Sequence, residues 1–313
     1  MKKRVIAVSA LALASVAVLA GCRSHDAAGS GKAKTDLKAA IVTETGGVND
    51  RSFNQSAWEG LQSWGKENNL KKGTGYTYFQ SNSASDYTTN YNSAEQQGYK
   101  LLFGTGFSLQ DATSAAAKNN PKSNFVIVDS VIKDQKNVAS ATFADNESAY
   151  LAGVAAAKAT KTNKIGFIGG MQSDVITRFE KGYEAGAKSV NPDIKVDVQY
   201  AGSFTDAAKG QAIAKRMYDS GADIVFHAAG GVGKGLFTEA KERKKKDPKA
   251  DVWVIGVDRD QYDEGKVDDK TNVTLTSVLK RVDIAAQDIS KQAKDGKFPG
   301  GKTITSVSYT HLT

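Results

Sequence analysis

One strand–loop–helix pattern occurs twice in this chain, in the same order, and that repetition limits the fold more than any other feature. Leu37-Lys38-Ala39-Ala40-Ile41-Val42 leads through a Gly-containing loop into a helical pattern carrying Phe53, Ala57, Trp58, Leu61 and Trp64. Lys164-Ile165-Gly166-Phe167-Ile168 leads through Gly169-Gly170 into another, carrying Phe179, Tyr183 and Ala187. Residues 98–103 correspond to 221–226, and the Pro121-Lys122 to Asp129 stretch corresponds to Pro248-Lys249 to Asp258. Three landmarks in one order at a nearly constant offset argue for two copies of a β/α unit. Each copy alternates short apolar strands with helical segments, the pattern of parallel sheets covered on both faces. The expected class is α/β, with two doubly wound parallel-sheet lobes, and 313 residues suit two such units. Ligands of these sheets bind beyond the carboxyl ends of the strands, so two facing lobes make a cleft lined by those ends.

The chain ends read differently from its middle. Lys2, Lys3 and Arg4 precede a short run of small and apolar residues, 5–20, too short to span a bilayer and typical of a secretory signal. Leu19-Ala20-Gly21-Cys22 closes it with the only Cys of the chain, which excludes an intrachain disulfide framework and any Cys-rich metal site. The four residues resemble the lipobox of bacterial lipoproteins. That predicts residues 1–21 as a signal peptide, Cys22 as an acylated (palmitate-bearing) N-terminus, and 22–36, rich in Ser, Gly, Ala and Lys, as a tether. At the other end, residues 307–312 match one reading frame of a transposon mosaic-end adapter, and 307–313 are expected to be an appended tail, a short natural tail being the alternative. A chain cut near Ser306 would lose part of its last return to the second lobe.

Candidate site residues stand where strands end. The first strand leads to Gly46-Gly47-Val48-Asn49-Asp50-Arg51-Ser52-Phe53-Asn54-Gln55, which offers a carboxylate, an amide and a helix N-terminus suited to polar ligands, or plain capping by Asp50 and Ser52. Asp129 and Asp258 each end an apolar strand, a costly place for a carboxylate without a partner; capping of the following loop is the alternative. Phe204, in Gly202-Ser203-Phe204-Thr205-Asp206, is a candidate platform for a flat ligand. The run from Ala228 to Gly235 meets neither the Walker nor the dinucleotide pattern, leaving a loop that brings backbone amides to a ligand. Lys280 either projects a cation toward the cleft or is exposed at a helix start.

Catalysis finds little support. Of three His, only His227 lies at a strand end, where a core role is expected, and no nucleophile elbow or His-Glu-x-x-His pair is present. The net charge of +8 invites a nucleic-acid reading, but Lys241-Glu242-Arg243-Lys244-Lys245-Lys246 lacks interleaved aromatics and reads as a solvated helix end. No enzyme activity, cofactor, metal or nucleic-acid partner is expected.

The lipobox, the segment Asn49-Asp50-Arg51-Ser52-Phe53-Asn54-Gln55-Ser56-Ala57-Trp58-Glu59-Gly60, the Gly loop before Lys234, and Ile255-Gly256-Val257-Asp258-Arg259-Asp260-Gln261 together resemble the basic membrane protein family of substrate-binding lipoproteins, in particular its purine nucleoside receptor branch. The resemblance covers residues 37–306. It implies a type I periplasmic-binding-protein fold with three crossovers, serving as the monomeric, lipid-anchored receptor of an ABC importer on the extracytoplasmic face of the cell membrane. Residues 37–144 plus about 277–297 would form the N-terminal lobe, and 145–276 plus about 298–306 the C-terminal lobe. By position, Asp258 and Lys280 would hold ribose hydroxyls, Asn54 and Asp129 with Asp50 would meet the base, Phe204 would form one aromatic wall, and Gly231 would give a backbone contact. Phe53 and Phe107 are the candidates for the opposite wall. A sensor or adhesin of the same fold, binding a sugar or autoinducer-like molecule, is the alternative function.

Overall fold

A computed structural model describes residues 36–306 and 309–311. The lipobox, Cys22 and most of the tether lie outside the described residues. The first copy of the repeat forms β1 (Ala39–Thr43), α1 (Phe53–Glu67), β2 (Tyr76–Phe79), α2 (Asp86–Gln96), β3 (Leu101–Thr105), α3 (Gln110–Asn119), β4 (Asn124–Val128) and β5 (Val138–Phe143). The second forms α4 (Asp145–Ala159), β6 (Lys164–Gly169), α5 (Asp174–Val190), β7 (Lys195–Tyr200), α6 (Ala207–Asp219), β8 (Ile224–Ala228), α7 (Gly233–Lys246), β9 (Trp253–Asp258) and β10 (Thr274–Leu279). The chain closes with α8 (Val282–Lys294), β11 (Thr303–Ser306) and β12 (Tyr309–His311).

The strands form two six-stranded sheets, ordered β11-β5-β4-β3-β1-β2 and β12-β10-β9-β8-β6-β7. The order 2-1-3-4-5 thus recurs as 7-6-8-9-10, so the repetition in the sequence is a repetition of topology. All pairings are parallel except β10 with β12. Side chains alternate faces along each strand. Ile41, Phe103 and Val126 join α1 and α8 in one core, while Val42, Leu102 and Ile127 join α2 and α3 in another. The second sheet is covered likewise, by α4 and α5 on one face and by α6 and α7 on the other. Burial on both faces is why these strands read as continuous apolar runs.

Crossings between the sheets occur after β5, after β10 and after β11, which agrees with a three-crossover hinge. Two boundaries differ from the sequence reading. Ser277, Val278 and Leu279 complete β10 in the second sheet, where Leu279 pairs with Asp258. Residues 303–306, expected in the C-terminal lobe, form β11 parallel to β5 of the first sheet, with Ser306 opposite Phe143. Backbone pairing along the open edge of β5 decides this, and a short alternating run carries no mark of which sheet will receive it. Within the segment expected to be an appended tail, Tyr309–His311 pairs antiparallel with residues 277–279 and so makes the return to the second sheet.

Close helix packing requires glycine at particular points. A Cβ on Gly186 of α5 would overlap the carbonyl oxygen of Tyr150 in α4, one on Gly153 would overlap that of Tyr183, and one on Gly60 of α1 would overlap that of Asp283 in α8. These backbones touch without intervening side chains. Gly186→Ala is therefore expected to lower unfolding free energy by about 1–3 kcal/mol, the range for overpacking. Urea denaturation measures it, and a loss below ~0.5 kcal/mol would contradict the close approach of α4 and α5.

Candidate functional site

In a sheet of order 2-1-3-4-5 the crevice opens between the first and third strands, where connections leave in opposite directions. Both lobes turn this point toward one another. The loops after β1 and β3 (Glu44, Gly46, Gly106, Phe107) and after β8 (Ala229, Gly230) line a common cavity. Asp50, Asn54, Asp129, Phe204, Asp258 and Lys280 line it as well, so six of the seven expected binding residues converge there.

Asp50 serves as both cap and orienter. Its carboxylate accepts from the backbone N–H of Ser52 (2.9 Å), Asn54 (2.8 Å) and Gln55 (3.1 Å), and from Asn54 Nδ2 (3.0 Å). Burial raises its pKa, although these donors oppose the shift. Asn54 Oδ1 accepts in turn from the Thr105 hydroxyl at the end of β3 (2.7 Å). The amide is thereby fixed between the loop that enters α1 and the end of β3, which restricts how it can meet a ligand.

Asp129 and Asp258 occupy equivalent strand ends and share a left-handed backbone, with φ of 64° and 67°. Such a conformation is rare outside Gly and turns each carboxylate out of its sheet. Asp258 accepts a hydrogen bond from Ser52 Oγ of the opposite lobe. Asp129 pairs with Lys280 Nζ at 2.7 Å, and its Oδ1 is buried without a partner. Desolvation, only partly opposed by Lys280, lifts Asp129 to about 6 and Asp258 to about 7.

Lys280 is 1 % exposed, so the reading of an exposed Lys at a helix start is excluded. Its ammonium lies 3.0 Å from Asp145 Oδ1 as well, and 5.1–5.5 Å from the rings of Phe53, Phe143 and Phe179. Arg178 donates to Asp145 Oδ2 from Nη2 (2.8 Å) and Nε (3.2 Å). The cation is held by charge on two sides and by aromatic faces around it. Burial works against its charge, yet Asp129, Asp145 and Asp258 raise its pKa overall.

Phe204 faces Phe107 across the cleft, ring centroids 6.2 Å apart at 69°. Both candidates for the opposite wall line the cavity; Phe107 is the one whose ring lies against Phe204, while Phe53 lies beside Lys280. Gly170 makes room for Phe204, whose ring a Cβ there would overlap. Gly231 departs from expectation: it is buried in a 3₁₀ turn, and Gly230, at φ 55°, is the residue that reaches the cavity. A shift of one residue along a Gly pair is invisible in the sequence.

Glu44, Asp145 and Arg178 were not singled out by sequence. Asp145 follows the crossing after β5 and looks like an ordinary first-turn acid. Cross-lobe contacts were equally hidden. Lys234 Nζ donates to the Asn49 carbonyl (2.9 Å), Arg259 makes a two-point pair with Glu59 (2.8 and 3.1 Å), and Gln261 Nε2 donates to the Arg51 carbonyl (2.9 Å). His227 is fully buried, bonded through Nε2 to Gln261 (3.0 Å), and burial pushes its pKa down to about 4, consistent with a neutral core residue. Among the described residues, no cluster of three metal-binding side chains occurs and no helix is long and apolar enough to cross a membrane.

Residues 37–306 match the family model Bmp, described as ABC transporter substrate-binding protein PnrA-like. The chain belongs to that family. It is 79% identical over 311 residues to the ABC transporter nucleoside-binding protein BmpA of Lactococcus lactis subsp. cremoris, covering 97% of this chain and 89% of the relative. It is 55% identical to the CD4+ T-cell-stimulating antigen of Listeria innocua, covering 97% and 88%. An ABC transporter solute-binding protein from Aeropyrum pernix K1 superimposes with a TM-score of 0.78 at 25% identity, over 88% of this chain and 76% of that one. A solute-binding protein from Conexibacter woesei shares the fold, with a TM-score of 0.67 at 23% identity over 88% and 89%. The fold is thus that of the periplasmic-binding-protein class, and the family is one of ABC substrate-binding proteins, extracytoplasmic and not an enzyme class.

The charge network makes a test of its own. Lys280→Met would leave Asp129 buried with its cation gone while Asp145 keeps Arg178, a change expected to cost about 3–5 kcal/mol near pH 8. Carboxyls whose pKa is raised on folding bind more protons folded than unfolded, so their contribution is fully present below the ordinary carboxylate range and lost as pH rises. The Met variant should therefore recover stability as pH falls toward 5. Denaturation at pH 5 and pH 8 reads this, and an equal loss at both would contradict it.

Proposed function

We propose that this protein is the lipid-anchored receptor of an ABC importer for nucleosides, purine nucleosides among them. The supporting observation is the makeup of one cavity: two facing aromatic rings, Phe107 and Phe204, share it with the polar set of Asp258, Asp129 and Lys280. A nucleoside has the same division, a flat base joined to a sugar rich in hydroxyls. The name of the Lactococcus lactis relative, a nucleoside-binding protein, points the same way.

In this reading the base enters between Phe107 and Phe204, parting rings that otherwise rest edge to face. Stacking on two rings favours flat ligands with little regard to substituents. Asn54 and Asp129 meet polar groups of the base, with Asp50 holding Asn54 in place. Asp258 accepts from ribose hydroxyls, exchanging the Ser52 proton for a ligand proton, and Lys280 completes the sugar site. The Gly loop contributes backbone N–H groups at Ala229 and Gly230.

Delivery follows from the hinge. Ligand enters only when the contacts joining Ser52 to Asp258, Asn49 to Lys234 and Glu59 to Arg259 are broken, so open and closed forms differ by these bonds. A ligand that bridges both lobes adds its affinity to the closed form alone and shifts the population toward it. The closed monomer is what the permease receives. Acylation of Cys22 keeps the receptor at the membrane, with residues 22–36 as its tether.

Calorimetry and thermal shift with inosine, guanosine, cytidine and ribose test the reading. Saturating nucleoside at about 100 times Kd should stabilise the fold by ~2.7 kcal/mol and be recovered intact. Asp258→Ala and Phe204→Ala should each weaken binding more than tenfold, about 1.4 kcal/mol. A response to ribose alone favours the sensor reading, and wild-type affinity in both variants removes these residues from the site. In the native host, Cys22→Ser should release the protein from the membrane fraction.

A further inference from the structure

Four carboxyl groups, Glu44, Asp50, Asp129 and Asp258, converge on the cavity. Their circumstances are unequal. Asp50 accepts from three backbone N–H groups and one amide, Asp129 is paired with Lys280, and Asp258 accepts from Ser52. Glu44 has the Ser108 hydroxyl at 3.4 Å, and among the described residues it has no cationic partner. Lys280, the cation that lines this cavity, is committed to Asp129 and Asp145.

Position gives Glu44 its meaning. Its carboxylate lies against Gly106, where an added Cβ would stand 3.0 Å from Oε2, and it is bonded to Ser108; those two residues flank Phe107, one of the two facing rings. A base stacked between Phe107 and Phe204 therefore presents an edge to Glu44. We propose that Glu44 reads that edge as a neutral carboxylic acid, so that capture of a nucleoside takes up a proton on this side chain. The inference rests on the nucleoside reading above.

The acidic groups facing Glu44 favour its neutral form, and the Ser108 hydroxyl opposes them. Asp50 precedes α1, Asp129 follows β4, Asp258 follows β9, and Tyr87 of α2 reaches Ser108 through its hydroxyl at 3.2 Å. Desolvation first, then the fields of Asp50 and Asp129, push Glu44 up to about 8, with Ser108 opposing. Ionised, it would be a half-buried anion with one weak donor and carboxylates for neighbours, which is costly. Protonated, it offers a donor beside an acceptor. Nucleobase edges carry the same adjacent pair, such as a ring nitrogen beside an exocyclic amine. An ionised carboxylate would instead face the ring nitrogen lone pair-on-lone pair. When the lobes open, water returns to the carboxyl and the proton is released.

The sign follows from linkage. A carboxyl raised in the closed, occupied form favours that form below its ordinary range, and the advantage is lost as pH rises through the raised value. Asp129 and Asp258 are raised as well, to about 6 and about 7, so the interval from pH 7 to pH 8.5 is compared between wild type and Glu44→Gln, which isolates the share of Glu44. Adenosine, whose base does not titrate there, is the probe. By calorimetry in two buffers of different ionisation enthalpy, wild-type affinity should fall about tenfold across that interval with net proton uptake on binding. Glu44→Gln keeps a donor beside an acceptor and cannot titrate. It should hold wild-type affinity within about threefold at pH 7, fall less than about threefold by pH 8.5, and lose most of the proton uptake. Glu44→Ala should bind at least tenfold more weakly at pH 7. The proposal is overturned if Glu44→Gln retains the wild-type slope and uptake, or if Glu44→Ala binds like wild type. Failure of the wild type to bind any nucleoside at pH 7 overturns the nucleoside reading itself, and this inference with it.

Discussion

The ammonium of Lys280 is the point on which the two lobes meet. It follows β10, the last strand shared in order by both copies, and precedes α8, which returns to the first lobe. Its partners come from different places: Asp129 from the first lobe, Asp145 from the crossing after β5, and Arg178, behind Asp145, from the second lobe. A fully buried cation is unfavourable in isolation, and its placement is possible because two carboxylates and three aromatic rings replace water around it. The same arrangement ties two of the three crossings together, so the geometry of the cleft depends on a charge network at its base.

Around that base the cavity holds more acid than base. Closing the lobes takes carboxyl groups out of water, and the response differs with the donors each one finds. Asp50, rich in backbone donors, orients Asn54; Asp129, at the cation, keeps one oxygen unpartnered; Asp258 bridges lobes through Ser52; Glu44, poorest in donors, is pushed furthest up. One kind of group, the carboxyl, thus supplies an orienter, a charge partner, a latch and the proposed proton-bearing group. Burial and donor supply, not residue identity, separate these roles.

Much of the fold was legible because parallel sheets covered on both faces write themselves as apolar runs, and because the runs recur. Ile41 and Ile165, or Asp129 and Asp258, are recognisable as equivalents before any coordinates exist. The site was legible to the extent that strand ends are where such sheets bind ligands, which singled out Asp50, Asp129, Phe204 and Asp258. Illegible were contacts made between copies. Nothing in the order of residues says that Phe107 faces Phe204, that Gly230 rather than Gly231 reaches the cavity, or that 303–306 extends the first sheet.

The sequence by itself determined the class of fold, the duplicated topology and the ring of strand-end residues, since these follow from local periodicity and from a repeat that any reader can align. Tertiary structure alone decided which of those residues found charged partners and which were shifted toward their neutral form. Lys280 read equally well as a surface lysine until burial at 1 % placed it between two carboxylates, and Glu44 read as a loop residue until the fold set it beside Gly106 and Ser108 in the cavity, where desolvation raises its pKa. Electrostatic character depends on distance to other charges and on exclusion of water, both properties of the packed molecule and neither a property of the chain.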